Sequence, residues 1–95
     1  MNLNPAHIVT VTDFSPETLR NIVAYLEVST DFEHLVYREA ELDAIWSITG
    51  FALKNESNLA ARESVVELHE IAHRAHDLVG DRRPGEAAAV LKAFL

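Results

Sequence analysis

The sequence predicts an all-α fold, a small helical bundle or hairpin array of three to four helices preceded by an extended N-terminal arm. Apolar residues recur at helical spacing over most of the chain, capping residues precede these segments, and strand-like alternation is confined to residues 8–12. The chain has 95 residues, 48% of them hydrophobic, with three glycines and three prolines, which is the size and composition of one globular domain. We therefore expect a single helical domain over residues 1–95, with 1–14 as the arm.

The arm contains the one β-branched cluster with alternating polarity, Ile8 to Thr12. An isolated strand is not stable by itself. The arm therefore lies on the helices, pairs with the same segment of a second chain, or is loose, and the sequence leaves these alternatives open.

The first two helices are predicted at about 16–28 and 31–54. Ser15 is a capping residue, Pro16 suits the first helical position, and Glu17 favours the positive end of the helix dipole. The core-facing stripe of the first helix is Leu19, Ile22, Val23 and Leu26.

A third helix follows the polar connection at 54–58, and a short fourth helix is predicted from Glu86 to Leu95. The third has a seam with alternating steps of four and three residues: Ala61, Val65, Leu68, Ala72, Ala75 and Val79. Gly80 is expected to adopt the left-handed conformation that ends this helix. The inward residues of the fourth helix are predicted to be Ala87, Val90, Leu91 and Phe94.

The second helix has two apolar stripes rather than one. The predicted core stripe is Leu35, Leu42, Ile45, Trp46 and Leu53. The opposite stripe contains Val36, Ala40, Ala44, Ile48 and Phe51. We expect another chain, a partner or a second copy, to cover this second stripe, so that the isolated protein is at least a homodimer; the alternative is that the first and fourth helices cover it. Gly50 indicates a close helix approach or a break in the helix.

Val36, Ala44, Ile48 and Phe51 are accordingly the predicted partner-binding residues. A charged cluster precedes them, in which Glu39, Glu41 and Asp43 surround Arg38. It is interpreted either as a solvated helix face or as a surface that steers the protein toward a basic partner.

Three histidines on the third helix are the one arrangement suggestive of catalysis. His69-Glu70-Ile71-Ala72-His73 matches the His-Glu-x-x-His pattern, in which two histidines one turn apart bind zinc and the glutamate activates water. His76 adds a third imidazole on the same side of the helix. The adopted interpretation is solvated or interface histidines; the alternative is a metal site of His69, His73 and His76, or a minimal metallopeptidase with Glu70 as its base.

Charge and composition exclude several functions. The formal net charge is −7, which disfavours direct binding to nucleic acid or to an anionic membrane. The sequence contains no cysteine, hence no thiol catalysis, and no glycine-rich phosphate loop or nucleophile elbow. Since neither a signal peptide nor a membrane-spanning run is evident, we expect a cytoplasmic protein. We also expect it to be non-enzymatic and to have no cofactor.

Two segments, FSPETLRNIVAYLEV at 14–28 and ELDAIWSITGFAL at 41–53, resemble bacterial quorum-sensing antiactivators of the QslA kind. The resemblance covers most of the chain and lies in its small size, acidic charge, helical pattern and lack of cysteine. It assigns no role to an individual residue. It implies an all-α protein that binds the ligand-binding domain of a LuxR-type transcription activator. It also implies that this binding blocks activator dimerisation and DNA binding.

Overall fold

The part of the chain that the structure describes forms four helices, and the prediction of an all-α fold is confirmed. The computed structural model describes residues 3–55 and 57–95. The helices are α1 at Pro16–Val28, α2 at Phe32–Asn55, α3 at Leu59–Gly80 and α4 at Pro84–Phe94. Strands are absent from the described ranges, and none of the helices there is long and apolar enough to cross a membrane.

Helix α1 begins as its sequence predicts. The Ser15 hydroxyl accepts a hydrogen bond from the Thr18 N–H at 3.3 Å, and Pro16 occupies the first turn, where its missing N–H is not needed. All four predicted core residues of this helix are buried: Leu19, Ile22, Val23 and Leu26.

The end of α3 differs from its prediction. Gly80 is the last helical residue, and the left-handed residue is Arg82, with a φ of 62°. The Arg82 N–H donates to the Val79 carbonyl at 2.9 Å and the Arg83 N–H donates to the Leu78 carbonyl at 2.8 Å. This is the Schellman arrangement, placed two residues later than predicted and on a residue type that pays about 1–2 kcal/mol for the left-handed conformation.

The core lies along the seam of α3. Leu68, Ala72, Ala75 and Val79 are buried as predicted, whereas Val65 is half-buried and Ala61 is exposed. The small alanines allow α3 to lie close to its neighbours, and it packs extensively on both α2 and α4. Helix α4 also packs on α1 and contributes its buried residues Ala87, Ala88 and Leu91.

The N-terminal arm lies on the helices. Val9 is buried in the core, and its N–H donates to the Glu41 carboxylate at 2.7 Å. Val11 also packs against the core, whereas Ile8 is exposed. Met1 and Asn2, the first residues of the predicted arm, lie outside the described residues.

The buried face of α2 differs from its predicted core stripe. Leu35, Leu42 and Ile45 are buried, but Leu53 is half-buried and Trp46 is exposed. The remaining inward positions belong to three polar residues, Arg38, Glu41 and Thr49. The predicted stripe contains apolar residues alone, so its centre is displaced toward Trp46 from the face that the helix buries.

Candidate interaction surface

The charged cluster of α2 is divided between the interior and the surface. Arg38 and Glu41 are buried, whereas Glu39 is half-buried and Asp43 is exposed. The Arg38 Nε lies 2.8 Å from Glu41 Oε1, and Arg38 Nη2 donates to Oε2 at 2.9 Å. The interpretation of all four residues as one solvated face is therefore wrong, because two of them form an internal ion pair.

The N-terminal arm covers this ion pair. The Arg38 guanidinium donates to the carbonyls of Pro5 and His7 and to the Ser29 hydroxyl, and it lies 5.0 Å from the Tyr25 ring centroid. Burial raises the pKa of the Glu41 carboxyl above its ordinary value, and the Val9 N–H bond and the Arg38 charge oppose that rise. These bonds lie within the chain, so the cluster joins the arm to α2 and presents no charge to a partner.

The outer stripe of α2 is exposed only in part. Phe51 is 70% exposed and Val36 is 44% exposed. Ala44 is half-buried, and Ile48 is half-buried and packs against the core. Of the four predicted partner-binding residues, the structure therefore presents Phe51 and Val36 to solvent, near opposite ends of the helix, and uses Ile48 partly for packing.

A stacked pair of rings joins α2 to α3 next to Phe51. The Trp46 and His69 rings lie with their centroids 5.0 Å apart and their planes at 21°. His69 Nδ1 is 2.9 Å from the buried Thr49 hydroxyl, so a hydrogen bond holds the imidazole in place. The Trp46 ring, which is 40% exposed, consequently has a fixed support on its His69 side.

Gly50 makes room for this arrangement. A Cβ atom at this position would lie 3.2 Å from His69 Cε1, closer than ordinary van der Waals contact. Helix α2 continues through Gly50 to Asn55. Of the two alternatives the sequence left open here, close approach is the one observed.

Two adjoining clefts open on either side of Trp46. The larger, of about 570 Å³, is mainly apolar and is lined by Trp46, Ser47, Gly50, Phe51, Leu53, Lys54 and His69. The smaller, of about 270 Å³, is lined by Asp43, Trp46, His73, His76 and Asp77. We call them the apolar cleft and the acidic cleft.

The three histidines of the alternative metal-site interpretation do not converge. His69 bonds to Thr49 and stacks on Trp46, whereas His73 and His76 lie in the acidic cleft, 3.6 and 3.9 Å from Asp77 carboxylate oxygens. Within residues 3–55 and 57–95, no group of three or more His, Asp or Glu side chains is placed to hold a metal ion. The His-Glu-x-x-His spacing is present, but His69 is engaged with α2, and Glu70 is exposed and lines neither cleft.

Sequence reasoning missed the partnership of Thr49 with His69 and the burial of Arg38 with Glu41. The available signal was an Arg and a Glu three residues apart on a helix that is apolar on two sides, where a solvated charge has no obvious face. The chain matches no protein-family model, and it has no significant similarity to a curated protein or to a solved structure.

Proposed function

We propose that this protein is a non-enzymatic interaction module that binds a regulatory protein stoichiometrically through the apolar cleft and Phe51. The observation that carries the proposal is the exposure of Phe51 beside a mainly apolar cleft with a supported Trp46 at its edge. Exposed aromatic residues beside preformed apolar clefts are typical of binding anchors. An apolar helix face laid into the cleft is the occupant that fits its position between α2 and α3.

Charge favours a different protein over a second copy as this occupant. Each copy of the chain carries a formal net charge of −7, and Asp43 and Asp77 line the neighbouring cleft. Two copies would therefore repel one another, whereas a partner with basic residues around an apolar helix would be attracted. A homodimer is the rival occupant of the same surface.

The resemblance to quorum-sensing antiactivators identifies the partner that we propose. The protein would bind the ligand-binding domain of a LuxR-type transcription activator and occupy the surface through which that activator dimerises. The activator would then fail to bind DNA, and the complex would act in the cytoplasm without a cofactor or catalytic step.

The test mixes the purified protein with a LuxR-type ligand-binding domain and measures heat of binding and sedimentation. We expect a 1:1 complex and a loss of activator dimer. Phe51→Asp should weaken the complex at least about 30-fold, the effect of an interface hot spot. Because Phe51 is exposed, the free energy of unfolding of this variant should lie within about 1 kcal/mol of that of the natural protein.

Three further variants show whether the effect is specific. Ile8→Asp adds the same charge at an exposed arm residue and should bind normally. Ile48→Asp should lose stability because Ile48 packs on the core, and Leu42→Asp should not fold. Absence of any complex, together with a stable homodimer that Phe51→Asp dissolves, would assign the surface to self-association and overturn the proposal.

A further inference from the structure

We propose that the acidic cleft binds an arginine side chain of the partner, with the guanidinium stacked on Trp46 and paired with Asp43 and Asp77. This inference rests on the proposed function and adds the chemistry of a second anchor. It assigns the cleft to a cationic side chain and the apolar cleft beside it to the partner's apolar residues.

The first support is the composition of the cleft. Its described lining combines one tryptophan, two carboxylates and two imidazoles, without a lysine or arginine. The exposed Asp43 comes from α2 and the exposed Asp77 from α3, so carboxylates approach from both helices. A cation with planar donors satisfies such a lining better than an apolar group or an anion, because it can pair with carboxylates and stack on the indole.

The second support is the way in which Trp46 is held. His69 stacks on it at 5.0 Å and His73 lies 6.3 Å away, while Thr49 fixes His69. An aromatic ring held in this way binds a cation over its face without first losing much conformational freedom. Arginine is favoured over lysine because its planar group stacks on an indole and presents several donors at once.

The spacing of the two clefts defines the partner segment further. Asp43 in the acidic cleft and Gly50 in the apolar cleft are seven residues apart on α2, about 10.5 Å along the helix axis. Because Trp46 lines both clefts and is four residues from Gly50, a partner helix that lies along α2 would carry its arginine and its apolar anchor on one face, one to two turns apart.

The test uses the protein alone with N-acetyl-arginine amide as the probe, and N-acetyl-citrulline amide as an uncharged probe of nearly equal shape. Trp46 is the one tryptophan in the sequence, so indole fluorescence and the indole N–H resonance report directly on the cleft. We expect a saturable change with the arginine amide and a much smaller one with the citrulline amide. The double variant Asp43→Asn, Asp77→Asn should raise the Kd about tenfold.

The double variant Glu63→Gln, Glu67→Gln removes the same two negative charges from exposed positions on α3 that line neither cleft, and it should leave the Kd unchanged, which controls for net charge. Equal binding of the two amides, or an unaltered Kd in the double variant, would overturn the proposal. If the protein instead binds zinc, loses that binding in His73→Gln and His76→Gln, and does not respond to the arginine amide, the cleft is a metal site. Because no partner protein is present, failure here is distinguishable from failure of the activator-binding experiment.

Discussion

Helix α2 takes part in two polar clusters, one of which is buried and the other exposed. Around Arg38 and Glu41, the N-terminal arm closes over an ion pair and makes three hydrogen bonds to it, through Pro5, His7 and Val9. Around Trp46, two turns further on, the polar groups Asp43 and Asp77 remain at the edge of an open cleft. The contacts of the first cluster are all made inside the chain, whereas the second cluster lies at the surface, where Asp77 has His73 and His76 beside it and another molecule can reach the carboxylates.

This difference indicates what each cluster contributes. A buried ion pair is costly to desolvate and is tolerated only when its hydrogen bonds are complete, so the arm and the ion pair depend on one another. An exposed aromatic ring beside carboxylates adds little to folding, but it can contribute binding energy when a partner removes it from water. Substitutions in the first cluster should therefore change the free energy of unfolding, whereas substitutions in the second should change binding.

Among substitutions in the two clusters, the largest effect on stability is expected from Arg38→Met. The variant retains much of the side-chain volume but leaves Glu41 buried without a cation and the Pro5 and His7 carbonyls without their donor. Breaking a buried pair in this way costs about 3–5 kcal/mol, a large part of the stability of a small domain. Guanidinium unfolding followed by circular dichroism measures the loss. A loss below about 1 kcal/mol would show that the Arg38–Glu41 pair and its bonds to the arm do not stabilise the fold.

A smaller effect with a defined pH dependence is expected from Glu41→Gln. Glutamine keeps an acceptor for the Val9 N–H, and Arg38 keeps its bonds to the arm, so the loss should stay below about 1.5 kcal/mol. Because burial raises the pKa of Glu41, the folded state binds more protons than the unfolded state above the ordinary value of 4.5. The stabilisation from Glu41 is complete below that pH and declines as the pH rises through the folded-state pKa.

The measurement is the difference in unfolding free energy between the natural protein and Glu41→Gln from pH 4 to pH 7. This difference should shrink as the pH rises, since the variant lacks the titrating group. A difference that grew with pH would mean that pairing with Arg38 outweighs the cost of burying the carboxylate.

The smallest effect on stability is expected in the open cluster, from Gly50→Ala. Alanine favours the helix by about 1 kcal/mol, but its Cβ would crowd His69 Cε1 at 3.2 Å and shift the imidazole. Gly85→Ala is the matched control, because a Cβ there meets nothing within 4 Å. Gly50→Ala should therefore stabilise by less than the about 1 kcal/mol that alanine adds in a helix interior, and it should change Trp46 fluorescence, which Gly85→Ala should leave unaltered. Stabilisation by the full amount with unchanged fluorescence would show that His69 does not require the glycine.

Helical periodicity and capping residues were sufficient to predict the four helices, the α1 core and most of the α3 seam. These predictions succeeded because each depends on residues within a few turns of one another. The members of the predicted partner-binding set differ in exposure, since Phe51 and Val36 are exposed but Ile48 packs on the core. The rotation of α2 about its own axis decides this, and buried polar residues set that rotation as much as apolar ones do.

The sequence by itself therefore determined the helical class of the fold, the helix boundaries to within a few residues, and the surplus of apolar surface on α2. Only the tertiary structure decided which charges are internal, because Arg38 obtains its hydrogen bonds from an arm about thirty residues away in sequence. It also decided that His69 bonds to Thr49 and stacks on Trp46 instead of lying in one cluster with His73 and His76. Local spacing places side chains on a face of one helix, but the partner that each side chain meets depends on how the helices pack.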